Sequence, residues 1–414
     1  MTAGDRDWAI TGVSLRSPQM RDAIASQDGL FTLTERDKAG DRTRLIGALR
    51  DVLVAPEAPQ GVIGALADPG THLVTLTVTE KGYCRLPDGK LDMERAARPE
   101  SLYALLAAGF HVRMAGGIGG LTLVSCDNLA ANGNVLAALM RAYLDRYAPA
   151  LTGWFDRECA CPTTMVDRIV PAMSDMQRDA IAAQVGMRDE GAVITEPFSQ
   201  WVIEDRFAGP RPRWEVAGAQ FVSDVRPYED AKLRMLNGAH SALAYLGLAA
   251  GHKHVHEAIA DPAIRPLVER LMRCEAAASL DPAPGQDLSL YADRLLGRFA
   301  NPALPHRLSQ IATDGSQKIG PRWLIPLAIN DVRGRTCPAT LQALAAWIVH
   351  MRGDRNPVDD PMRDEIADLW RSSEAVGIVD GLFGPAGLFA ATWTASASTA
   401  AMLRGHVEAA TQRG

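Results

Sequence analysis

The chain has 414 residues, 47% of them apolar and 22% charged, and a formal net charge of −6. That composition is ordinary for a globular protein, the length allows two full cores, and the acidic balance gives no basic footprint for nucleic acid. No apolar run approaches the roughly 18–20 residues of a membrane span, the polar start MTAGDRDW is no secretory signal, and six cysteines form no disulfide framework. Reduced thiols in a cytoplasmic protein are the expectation.

In chain order, residues 8–15 (WAITGVSL) read as a short strand, 18–26 as a helix and 30–34 as a strand, while 44–54 fits either helix or strand. The β-branched run at 72–78 is bounded by turns and suits a buried strand. Helical patterns at 101–108 and 134–146 flank another strand at 121–126. Such alternation argues for a parallel sheet covered by helices. A strand at 220–223 ends the β pattern, and helical segments follow at 228–250, 262–280, 287–299, 339–351, 361–373 and 394–411, separated by proline and glycine. The chain thus divides near Asp224 into an α/β half, 1–224, and a mostly α-helical half, 225–414. The run GGIGG at 116–120 precedes a strand instead of following one, so it reads as a helix stop and tight turn, not as a phosphate loop.

The densest chemistry lies at 227–247, PYEDAKLRMLNGAHSALAYLG. At about 100° per residue, Glu229 and Lys232 stand about 60° apart, with His240 at about 20° and Asn237 at about 80° from Glu229. A carboxylate, an amine, an amide and an imidazole then share one side of an apolar helix. Buried polar groups need partners or a task, and a lysine in dry surroundings can serve as a general base. The alternative is an amphipathic helix with a solvated polar stripe. Cys159 and Cys161 form a C-x-C without the further ligands that a metal needs. His252, His254 and His256 read as the polar end of the long helix, and no metal site is expected.

The segment KLRMLNGAHS (232–241) resembles the K-x4-N-x2-H signature of the long-chain polyol dehydrogenases, the mannitol dehydrogenase and fructuronate reductase group. Further blocks resemble that family in its order: LTVTEKGYC (76–84), SCDN (125–128) followed by Asn132 and Gly133, MVDRIVP (165–171), EPFSQWVIED (196–205) and DGSQK (314–318). The resemblance implies a Rossmann-like dinucleotide-binding domain followed by a helical domain, and hydride transfer between NAD or NADP and a secondary alcohol. Lys232 would be the base, Asn128 and Asn237 the amide donors to the developing alkoxide, His240 the group orienting the substrate oxygen, and Glu229 a proton relay. Asp167 would bind substrate hydroxyls, and Arg16, Ser17, Thr79 and Glu80 the cofactor. An arginine after the second strand of such a fold leans toward NADP, although Arg16 also reads as a solvated loop residue.

Members of that family begin with a strand ending in G-x-G-x-F, and no such turn occurs in this chain. The missing strand would be central in the sheet, and its loss would take pairing from both neighbours and weaken cofactor binding. The segments 236–247, 164–171 and 301–318 resemble fructuronate reductases more than mannitol dehydrogenases. A uronate is anionic, so Arg307, Lys318 and Arg322 are its candidate cations, with Gly320 departing from the family's K-x-P-Q-R. The expected activity is oxidoreduction of D-fructuronate and D-mannonate. A mannitol or other polyol 2-dehydrogenase is the second reading, and a truncated non-catalytic remnant a third. The expected partners are a small sugar acid or polyol, with no nucleic acid and no membrane, in a monomer or weak homo-oligomer.

Overall fold

Alternating strand and helix patterns give way to helix alone near residue 226, and the chain divides there into two units, Met1–Arg226 and Pro227–Gly414. The computed structural model describes residues 7–373 and 375–412. Among them no helix is long and apolar enough to cross a membrane.

Among the described residues, the first unit contains ten strands. β1 (Ile10–Ser14) runs parallel to β4 (Leu49–Val54), and β5 (Leu73–Leu76) parallel to β6 (Thr122–Ser125). β2 (Phe31–Asp37) and β3 (Gly40–Ile46) form an antiparallel hairpin, to which β8 (Val193–Thr195) adds in parallel. β9 (Gln200–Glu204) lies between β7 (Thr164–Asp167), antiparallel, and β10 (Gln220–Val222), parallel. A parallel bridge from Thr122 to Ala160 ties β6 to the segment leading into β7. Among the described residues the expected single sheet is therefore divided: β1 and β5 each pair on one side only, within separate two-stranded pairs. The ambiguous 44–54 segment resolves as the end of β3 followed by β4.

All four residues of β6 are buried, as a parallel strand covered on both faces requires. Its covering helices are Leu102–Ala115, Asn132–Tyr147 and Pro149–Glu158, packed around Phe110, Leu136, Met140 and Phe155. Gly133 is obligatory: a Cβ there would strike the carbonyl groups of Cys161 and Pro162. The 116–120 glycines do form a helix stop and turn, and Gly119 O accepts the guanidinium of buried Arg113 at 2.6 Å.

In the second unit, Pro338–His350 is the central helix, buried along ten of its positions and packed against Gly238–Ala249 and Ala397–Gln412. The sequence reading of 228–250 as one α-helix needs correction. Arg226–Ala231 and Gly238–Ala249 are α-helical, but Lys232–Asn237 between them is a π-helix. The 262–280 segment is likewise broken, by a π-helix at Leu271–Ala276 and a 3₁₀ turn at Ala277–Ser279. A third π-helix, Gly320–Leu324, and the one at Leu271–Ala276 both pack on the first.

Candidate active site

Crevices for nucleotides open where parallel strands end and their loops diverge. In the first unit several residues singled out from sequence follow such ends: Arg16 and Ser17 after β1, Thr79 and Glu80 after β5, and Asn128 after β6; Asp167 closes β7, which pairs antiparallel with β9. Arg16, Thr79, Glu80 and Asn128 are exposed, whereas Asp167 is buried. Leu15, next to Arg16, packs against the apolar cluster that contains Leu76, the last residue of β5.

Two residues to which sequence reasoning gave no task organise these loops. The Asp127 carboxylate accepts the N–H groups of Val78 and Thr79 at 3.1 and 3.0 Å and the Tyr83 hydroxyl at 2.9 Å. It thereby holds Thr79 at φ +60°, a conformation disfavoured for a β-branched residue. Asn132, fully buried, donates to the carbonyls of Ser125, Asp127 and Thr164 and accepts the Thr164 N–H at 2.9 Å. The loop carrying Asn128 is thus tied both to the one carrying Thr79 and to β7. Both side chains sit in the S-C-D-N…N-G block, but the partners that tie it to other loops, Thr164, Val78, Thr79 and Tyr83, are distant in sequence, so nothing local revealed the network.

In the second unit, Glu229, Lys232, Asn237 and His240 are all half-buried and belong to one helical run. The His240 ring lies 4.7 Å from that of Phe299 and 5.6 Å from that of His306. Burial, with further opposition from His306, Arg298 and Arg322, pulls its pKa well below the ordinary range, so the imidazole is neutral. His306 is pulled down by burial as well, and its Nδ1 has no hydrogen-bond partner.

The three candidate cations differ in their engagement. Lys318 donates its amine to the carbonyls of Ile311 and Thr313 and to Thr313 Oγ1. Burial, and then Arg322, lower its pKa. Arg322 donates to Ser241 Oγ at 2.8 Å and to Asn237 O at 3.4 Å, and burial brings its pKa down to about 10. Arg307 is exposed at a backbone bridge with His254, and its guanidinium makes no hydrogen bond or ion pair to a described residue. The D-G-S-Q-K block is partly structural: Ser316 binds Asp360 through its N–H and hydroxyl, and a Cβ on Gly315 would strike Tyr245 and Trp347.

The histidine cluster is not the end of a helix. Gly251, at φ +84°, stops the helix before it. His252 pairs with Asp261 at 2.8 Å, and His254 opens the next helix, Val255–Ala260, with its Nδ1 3.2 Å from Glu257. His254, His256 and Glu257 are the one group of potential metal ligands among the described residues, and none of the candidate catalytic residues belongs to it. All six cysteines are free. Burial holds the Cys126 and Cys161 thiols up at about 12 and Cys159 at about 11, in their protonated form.

Loops at the ends of parallel strands, followed by a helical unit that sets lysine, asparagine and histidine along one run, define a Rossmann-type oxidoreductase. Residues 1–216 match the mannitol dehydrogenase Rossmann domain and residues 224–404 the mannitol dehydrogenase C-terminal domain. The chain belongs to the mannitol dehydrogenase family. It is 38% identical over 402 residues to the mannitol 2-dehydrogenase of Phaeosphaeria nodorum, covering 92% of this chain and 70% of that one. To the D-mannonate oxidoreductase of Escherichia coli it is 37% identical over 406 residues, covering 93% and 83%. The Pseudomonas fluorescens mannitol 2-dehydrogenase, solved as a ternary complex with NAD and D-mannitol, superposes with a TM-score of 0.78 at 32% identity, covering 100% of this chain and 88% of that one.

Proposed function

We propose that the protein is an NAD- or NADP-dependent dehydrogenase that interconverts D-mannonate and D-fructuronate. The observation that carries the reading is the half-buried run of Glu229, Lys232, Asn237 and a neutral His240. A nicotinamide dinucleotide suits the exposed loops after β1, β5 and β6, where Arg16, Ser17, Thr79 and Glu80 would hold it; when bound, it supplies the hydride acceptor or donor. Lys232 takes the hydroxyl proton in oxidation and returns it in reduction. Glu229 relays that proton to solvent. Asn237 donates its amide to the oxygen as negative charge develops there. His240, neutral and held against Phe299, orients the same oxygen. Asn128 and Asp167 keep their assignments as second amide donor and hydroxyl ligand.

The preference for a sugar acid rests on Arg307. It follows His306, whose ring neighbours His240, and its guanidinium is uncommitted to described residues. One charge-assisted hydrogen bond contributes about 1.5–3 kcal/mol, or roughly ten- to a hundredfold in kcat/KM. Turnover of D-mannonate and D-mannitol, each with NAD and with NADP, tests this. The acid should be preferred by that factor, and Arg307→Gln should erase the preference while sparing slow turnover of the neutral polyol. Equal kcat/KM for the two would instead favour a mannitol 2-dehydrogenase, the activity named for two of the relatives above.

A further inference from the structure

Lys232 and Asn237 are five residues apart. In an α-helix that separation turns through about 500° and leaves the two side chains about 140° apart. Here the backbone between them is a π-helix, with the Gly238 N–H on the Leu233 carbonyl five residues back. A turn bonded from i to i+5 is wider, and residues five apart fall much closer together around its axis than in an α-helix. The lysine and the amide are thereby brought to one side.

Such a turn is uncommon and appears mostly as an isolated wide turn inside an α-helix, frequently at functional sites. Two carbonyls at the C-terminal end of this one accept side-chain donors from another segment. Trp323 Nε1 donates to Gly238 O at 3.1 Å. Arg322 Nη1 donates to Asn237 O and, one helical turn on, to Ser241 Oγ. Trp323 is 1% exposed, and both donors belong to Gly320–Leu324, itself a π-helix packed on the first.

The geometry points to Arg322 and Trp323 as positioning residues that clamp the wide turn and so keep Lys232 and Asn237 on the same side of their helix. This rests on the reading of Lys232 and Asn237 as the proton-transfer and oxyanion groups. It also gives Arg322 a task other than binding a substrate carboxylate, since its guanidinium is directed at the helix.

Trp323→Phe keeps an aromatic ring and deletes the N–H, while Arg322→Lys keeps the charge and loses the planar fork. Misplacing catalytic groups by about 1 Å costs up to about a hundredfold. Both variants should therefore lower kcat by roughly ten- to a hundredfold on D-mannonate and D-mannitol alike, with KM and the ratio between the substrates little changed. Amide hydrogen exchange across 237–241 should quicken in Trp323→Phe, a readout that needs no turnover. Unchanged exchange would overturn the clamp. So would full kcat with only a lower unfolding midpoint, or an Arg322→Lys loss confined to mannonate. Lys232→Ala, run in parallel, tests the underlying reading separately: if it stays active, the catalytic assignment fails, and exchange still decides whether the clamp exists.

Discussion

Asn132 joins three segments with one side chain. Its amide bonds the end of β6 and the start of β7 with no solvent to substitute for a lost partner. Leaving buried partners unsatisfied costs about 1–3 kcal/mol each. Asn132→Ala should therefore lower stability by at least that much, seen as a lower midpoint in urea unfolding; an unchanged midpoint would mean that water or a neighbour replaces the amide. Lys232→Ala should behave in the opposite way. The residue is half-buried on a helix, so unfolding should change little, while kcat falls by about 10²–10⁴, the usual worth of general acid–base catalysis. The sequence exposed Lys232 through its motif. It did not expose what Asn132 or Asp127 do, because their partners lie in other strands and loops and no periodicity encodes them.

At the scale of elements, strands and helices were legible where one period ran undisturbed. The expected helix at 287–299 is Leu288–Phe299, and the one at 339–351 is Pro338–His350. The π-helices were not legible, because a reading at 3.6 residues per turn cannot register an extra residue. Nor was the tie between the broken helix and the central one. Glu275, 3% exposed within Leu271–Ala276, accepts the N–H groups of Ala339 and Thr340 at 2.9 and 2.7 Å and the Thr340 hydroxyl. A carboxylate on a helix N-terminus satisfies orphan donors and meets the positive end of the dipole. Glu275→Gln removes the charge and turns an NH2 group toward a donor. We expect a loss of about 1–3 kcal/mol, from the buried donor left unpaired, with KM for substrate and cofactor unchanged. Thermal unfolding checked beside steady-state kinetics separates the two effects.

For the whole molecule, an α/β part followed by a helical part was visible from the fading of the β pattern, and the Rossmann family match, 1–216, is followed by the C-terminal one, 224–404. Acid response belongs to this scale. His240, His306, His350 and His406 all lie in the second unit, and burial lowers each one's affinity for protons. In the unfolded chain they titrate near the ordinary value, about 6.5. Below that value the unfolded state binds more protons than the folded one, so stability falls as pH drops toward the folded-state values. The unfolding midpoint should be lower at about pH 5.5 than at about pH 7.5. The loss should concentrate in the helical unit, read by exchange of amides in Pro338–His350. A flat response between those conditions would contradict the burial of these four rings.

The wide turn at Lys232–Asn237 also bears on how this chain tolerates change in length. An i→i+5 turn holds a residue that the surrounding helix does not need. Excising one codon from its middle, at Leu233 or Arg234, would let the helix close up without shifting anything downstream. Elsewhere in the same helix a one-residue deletion would rotate every later side chain by about 100°. The place where the backbone can best spare a residue is therefore the place where chemistry can least spare it, and a folded, inert protein is the expected product of that deletion.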